Sequence, residues 1–222
     1  VTTANYALNA LVKGWETSGI HLWTETEGTL FLTDDTYNYP ISGATSNRAV
    51  LSSGYTKTTL SAAAASGAAT ITVTSTTGFA ATQQVGVMLD SGTLYWTTQT
   101  GAAAGSVVTL GAVTTGAAAS GNLVFTYATA LQRPLRIVGA RRVLWNATAA
   151  SQTETSMGPL LARLDYQALP NKAATGVPTQ LFYDPQLGTG RIYVWPTPAD
   201  SLSGINFTFF RTIEDFDAAA NT

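Results

Sequence analysis

Cysteine is absent from the 222-residue chain. No disulfide framework and no thiolate metal site can form from it. Histidine occurs once, as His21, which excludes a site built from several imidazoles. A Ser-His-Asp triad would have to use that residue, yet it sits between Ile20 and Leu22 in an apolar stretch, where a structural histidine is the simpler expectation. Apolar runs are short and broken by Gly, Thr and Asn, and none approaches the roughly 20 residues of a membrane span. Val1 to Asn9 has no basic flank ahead of an apolar run, so no targeting peptide and no membrane contact are expected.

Charge is the next scarcity. Only 11% of residues are Asp, Glu, Lys or Arg, against roughly 25% in ordinary globular domains. A monomer of this mass exposes on the order of 9,700 Å², so each charge has about 400 Å² to itself, less than half the usual density. Much of the surface must then be Thr, Ser, Ala and Gly, which a neighbour can cover at little cost in side-chain entropy. Composition points equally to assembly and to a Thr/Ala-rich extracellular β-domain. The net charge of −2 gives no basic excess of the kind a free-standing nucleic-acid binder uses to displace phosphate counterions.

Hydrophobic spacing organises what is there. Thr2 or Thr3 can cap a helix over the first 18 residues, with Leu8, Leu11, Val12 and Trp15 on one face and Gly19 at its end. "LFLTDDTYNYPI", Leu30 to Ile41, reads as a hairpin turning at Asp34-Asp35. From about Tyr55 to Thr129 the vocabulary becomes Ala, Thr and Gly, with Lys57 and Asp90 the only charges. Three Ala/Gly/Ser turns there each precede an alternating strand, and Asp90 to Thr93 turns between two more, so a small antiparallel sandwich or barrel of five or six strands is expected. Beyond it, "LQRPLRIVGARRVLW" and "TSMGPLLARL" read as strands, and "LDYQALPNK" as a short helix capped by Asp165. "TQLFYD", "RIYVW" and "GINFTFFR" read as further strands, and "TIEDFDAAANT" as an acidic tail. The expected fold is α+β and mostly β: a discontinuous β-rich domain with a helix, residues 1–54 and 130–222, carrying an inserted all-β module at 55–129.

Candidate chemistry is thin. Glu154, Asp165, Asp184, Glu214, Asp215 and Asp217 offer carboxylates for glycoside hydrolysis, which needs two held roughly 5 to 9.5 Å apart. Each has a simpler role as cap, turn residue or solvated tail. Asp34-Asp35 and Asp215-x-Asp217 lack the ligand pattern of an EF-hand. "LGTGR" joins two strands, so no helix N-terminus is available there for phosphate. Arg133, Arg136, Arg141 and Arg142 are the one basic concentration; they could face phosphates, but pairing with the scarce acids is favoured. "YDPQLGTGRIYVWPTP" brings acid, glycines and aromatics together, yet reads as a hairpin with Asp184 as a turn acceptor, Ile192 and Val194 on one face, and Tyr193 and Trp195 on the other. Asp184→Asn should then leave assembly nearly intact.

"LNALVKGWETSGIHLW", "LQRPLRIVGARR", "LPNKAATGVPTQLFYDPQLGTGRIYVWPTP" and "FTFFRTIEDFDAA" resemble, in that order, the head-to-tail adaptor proteins of tailed phages. These are the connector or packaged-DNA-stabilisation proteins of short-tailed phages and their relatives, and the resemblance covers most of the two outer pieces. It implies a non-enzymatic virion protein without cofactor or metal, located at the neck: a ring of about twelve copies below the portal that extends the DNA channel without reading sequence and meets tail nozzle or fibre proteins. The inserted module would project outward as a decoration. The family pattern continues past its "EDFD"-like segment into a portal-docking tail, so no portal-contact residues are carried over from there. Residues expected to serve assembly or partner contact are Trp15, Trp23, Arg141, Arg142, Tyr193, Trp195, Glu214, Asp215 and Phe216. The alternative is a glycan-binding or glycan-cleaving β-domain of a phage tail or surface protein, with tryptophans stacking on sugars.

Overall fold

One strand carries the architecture. β1 (Glu25–Phe31) is flanked on both sides, by β16 (Ser203–Phe210) and by β3 (Ala49–Leu51), in a five-stranded antiparallel sheet of order β11-β10-β16-β1-β3. Here β10 is Arg136–Leu144 and β11 is Thr153–Ser156. The computed structural model describes residues 2–18, 25–146 and 152–211. Strand alternation sends Leu30 to one face of this sheet and Phe31 to the other, and both are fully buried. β16 turns Ile205, Phe207 and Phe209, each at 1% exposure or less, to the same face as Leu30.

The first layer packed on the central sheet is three-stranded, order β13-β14-β2, from Gln180–Asp184, Gly190–Trp195 and Asn38–Ile41. Tyr39, Ile41, Leu181, Ile192 and Val194 meet Leu30, Ile205, Phe207 and Phe209 in a single core. The expected Leu30-to-Ile41 hairpin does not form. Both edges of β1 are already paired, so after the Asp34-Asp35 turn the chain crosses to the other layer and β2 pairs with β14. The Tyr39 hydroxyl holds that crossing, donating to Thr36 O at 2.8 Å and accepting from Thr33 N at 3.0 Å.

The second layer is a barrel. β4 (Tyr55–Thr59), β9 (Leu123–Tyr127), β6 (Gln84–Met88) and β7 (Leu94–Thr98) form a sheet in that order, and β5 (Thr70–Thr72) pairs with β8 (Val107–Thr109). Bridges Leu60↔Val73 and Gln99↔Leu110 join the two sheets at both edges, so six antiparallel strands close on themselves and leave no free edge. Val85, Val87, Val108, Val124 and Leu60 fill the interior. Leu123, Phe125 and Tyr127 alternate outward, against the central sheet.

That second contact is aromatic. Phe31 lies 5.1 to 5.6 Å, centroid to centroid, from Tyr55, Trp96, Phe125 and Trp145. Close approach is bought by glycine at two points. A Cβ on Gly204 would stand 2.2 Å from the Trp145 ring and one on Gly86 2.8 Å from Trp96, so neither position admits a side chain without rearrangement.

Helices are few. α1 (Thr2–Thr17) carries the expected apolar face, but Thr3 lies inside its first turn rather than capping it, and none of its described side chains is buried. Leu11 is 50% and Trp15 42% exposed. α2 (Arg163–Ala168) starts after Ala162, so Asp165 caps from inside the first turn, its carboxylate accepting from Ala162 N. "TSMGPLLARL" is not a strand throughout: β11 ends at Ser156, and the rest carries a single bridge, Leu161↔Phe182, before α2.

Phe31→Ala removes a fully buried ring shared by barrel and central sheet, and should cost about 4 kcal/mol. Urea unfolding followed by tryptophan fluorescence and by far-ultraviolet dichroism should shift as one transition; a barrel that melts separately at its old midpoint would contradict the shared core. Burial also raises the phenol pKa of Tyr39, Tyr55, Tyr127 and Tyr166, and pushes Tyr183 up to about 12. Since these pKa values exceed the unfolded value near 10, their contribution is complete below pH 10 and is lost as pH climbs towards 12. Phenolate absorbance should show these tyrosines ionising together with loss of dichroism; all nine titrating near pH 10 in an intact fold would refute it.

Candidate interaction site

The residues expected to mediate contact fall in separate places. Tyr193 and Trp195 lie on the outward face of β14, as the hairpin reading requires, with β13 paired from Gln180↔Trp195 to Asp184↔Arg191. Their cover comes from the same chain. Tyr193 packs on Tyr166 of α2 at 5.2 Å and on Phe182 at 5.6 Å, and Trp195 Nε1–H donates to Asn171 O at 2.8 Å. Trp15 stands on the exposed face of α1. Trp23, Glu214, Asp215 and Phe216, together with His21, lie outside the described residues.

Arg141 and Arg142 are neighbours on β10 and therefore point to opposite faces. Arg141 bridges two acids, donating to Glu27 Oε1 and to Glu154 Oε2 at 2.8 Å each, which raises its own pKa. Asn206 Nδ2 completes the network on Glu154 at 3.0 Å. Both partners are well exposed, so this network adds little stability, while it pairs the cation with two carboxylates. Arg142 instead lines a cleft of about 290 Å³ between β11 and residues 177–180.

Asp184 departs from its expected role. Its backbone carbonyl does accept from Gln186 N in the turn, at 2.9 Å. The carboxylate, however, is buried at 4% exposure and accepts from Arg163 of α2 and from Gln186 Nε2. It fastens the short helix to the hairpin, a long-range contact that no local pattern announces. Among the described residues, no group of three or more Asp, Glu or His could hold a metal ion, and no helix is long and apolar enough to cross a membrane.

A wider open feature went unnoticed in the sequence because four separated segments build it. A groove of about 730 Å³ runs between the end of β3, the linker 128–133, the end of β16 and the tip of the β13–β14 hairpin at Gly188. Leu51, Ala130, Leu131 and Phe209 supply its apolar lining, and Arg133 and Arg211 its charge; among the described residues no acid lines it. The linker is pinned in place, Leu131 N donating to Ala49 O at 2.7 Å and Leu131 O accepting from Gly43 N at 2.9 Å. The groove is therefore preformed, and its volume lies in the range of ligand and peptide sites. No family model, no curated protein and no solved structure matches the chain.

Asp184→Asn keeps the shape but removes the charge-assisted bonds, and should cost about 1.5 kcal/mol in urea unfolding. Arg163→Ala should cost a similar amount, and the double variant little more than either alone. An Asp184→Asn variant as stable as the wild type would restore the role of a turn acceptor only.

Proposed function

We propose that the protein is a structural, non-enzymatic head-to-tail adaptor of a tailed phage, assembling as a ring below the portal and continuing the DNA channel. The observation that carries the reading is α1: an amphipathic helix whose Leu8, Leu11 and Trp15 are 40 to 50% exposed, on a chain otherwise able to bury large aromatics completely. Surface apolar residues in one stripe are commonly covered by a partner. The adaptor-like segments of the sequence and its low charge density support the same reading, because ring neighbours, portal and tail would cover much of each subunit. In such a ring the contacts are heterologous, so each copy presents two different faces.

The glycan reading gains less support. Trp96, Trp145 and Trp195 are engaged in packing or hydrogen bonds within the chain rather than forming an exposed platform. Mass photometry and negative-stain microscopy of the purified protein, alone and with the portal ring of its own virion, test the proposal. Rings, or a portal-bound complex, are the expected result. A stable monomer that ignores portal and binds polysaccharide would overturn it.

A further inference from the structure

The edge of a sheet carries unpaired N–H and C=O groups and invites another strand. The barrel closes its own edges, Leu131 N donates to Ala49 O on the outer side of β3, and Leu161 N donates to Leu181 O beside β13. On the free side of β2, Pro40 has no N–H to offer. Of the central and three-stranded sheets, β11 alone is left open among the described residues. Met157 N donates to Ala140 O, which sets the phase of the β10–β11 ladder: Thr153 and Thr155 turn their backbone groups to β10, while Glu154 and Ser156 turn theirs outward without a partner. We propose that this edge accepts, as an added strand, the acidic segment Thr212 to Asp217 of a second copy, an inference that rests on the ring reading for that copy.

The slot beside β11 is already shaped. Gly158 N donates to Thr179 O at 3.1 Å; from there β11 and residues 177–180 part, and a cleft of about 290 Å³ opens between them. Gln180 lines it with a buried Oε1 that has no hydrogen-bond partner, so a donor is wanted there. Charge selects the occupant. Arg142 lines the same cleft, half-buried, and forms no ion pair among the described residues. It lies in register with Thr155, so a residue added opposite Thr155 shares its face about 10 Å away, a gap that an extended arginine and a carboxylate side chain span together. Glu214, Asp215 and Asp217 are the chain's densest run of acids, and they put a carboxylate on either face of an extended segment, so an acid meets Arg142 in either register. Main-chain pairing gives an added strand its affinity and the cleft its specificity. The chain's own Glu214 and Asp215 do not serve. Phe210 ends β16 opposite Arg136, about 17 Å along the sheet from the row of Arg142, and the slot lies about 14 Å to the side, so roughly 22 Å must be crossed. Glu214 and Asp215 stand at most about 14 and 18 Å of extended chain beyond Phe210. Because segment and edge are different patches, each copy donates once and accepts once, as in a closed heterologous ring.

A fluorescein-labelled peptide of residues 212–222, titrated into the intact chain and read by anisotropy, tests the contact. Saturable binding is expected. It should be lost in Ser156→Pro, which removes an outward N–H, and about tenfold weaker in Arg142→Glu. A peptide with Glu214→Lys, Asp215→Lys and Asp217→Lys should bind the Arg142→Glu protein better than the native peptide does. Amide exchange gives a second readout, since bound peptide should slow exchange at Glu154 and Ser156. No binding, or binding indifferent to both variants while their thermal midpoints match the wild type, would overturn the proposal; rings formed by the same protein would then leave the ring reading intact. Slow exchange at Glu154 and Ser156 at every protein concentration, with peptide excluded, would mean that the chain covers its own edge, and would also overturn it. Peptide binding that obeys both variants, in a protein that forms no ring with or without portal, would support the strand contact and overturn the ring reading.

Discussion

Everything in this fold depends on a strand that is buried on both faces. Because side chains alternate along β1, Leu30 faces one core and Phe31 the other. The strand thereby locks a three-stranded sheet to one side of the central sheet and a closed barrel to the other. The arrangement tolerates no bulk at Gly204, directly opposite Phe31 across the ladder, because Trp145 lies over it. The barrel, although a distinct run of sequence, shares its outer aromatic face with the rest of the chain and is energetically part of it.

Scarce charge is spent on joining layers rather than on meeting solvent. Arg48 sits 4.7 Å from the Trp96 ring and donates to Tyr127 Oη at 3.0 Å, tying the outer domain to the barrel. Lys57 of the barrel donates to Asn146 O at 3.1 Å, its pKa lowered by burial. Asp184 holds α2 through Arg163, and Asp90, on the barrel's surface, accepts from Ala119 N and Asn122 Nδ2. Each of these bonds is directional, so it specifies which element meets which. They leave a surface of small neutral residues, which costs little side-chain entropy to cover.

Legibility followed range. The β13–β14 hairpin could be read in full, since "PQLGTG" between two alternating runs requires a turn, with Gly188 free to take φ +82°. The antiparallel strands of the inserted module were also visible, because each Ala/Gly/Ser turn precedes its strand, although sandwich and barrel stayed open alternatives. The Leu30-to-Ile41 segment misled for an instructive reason: its turn is real, with Asp35 at φ +54°, but a turn does not choose the partners of its flanking strands. Arg141 was correctly expected to pair with acids, though Glu27 lies 114 positions away. Nothing local marked the groove, whose lining comes from Leu51, Leu131, Gly188 and Phe209.

The sequence by itself determined the class of fold, the helix with its apolar face, most strands, the turns between them and the exclusion of cysteine chemistry, since each of these follows from residue type and spacing within about ten positions. Tertiary structure alone decided that β1 pairs with β16 and β3, that β2 crosses to β14, and that six strands close into a barrel. Strand pairing and burial are contests among distant segments for the same edge or core, and their outcome depends on which contacts exclude the others rather than on any one segment's pattern.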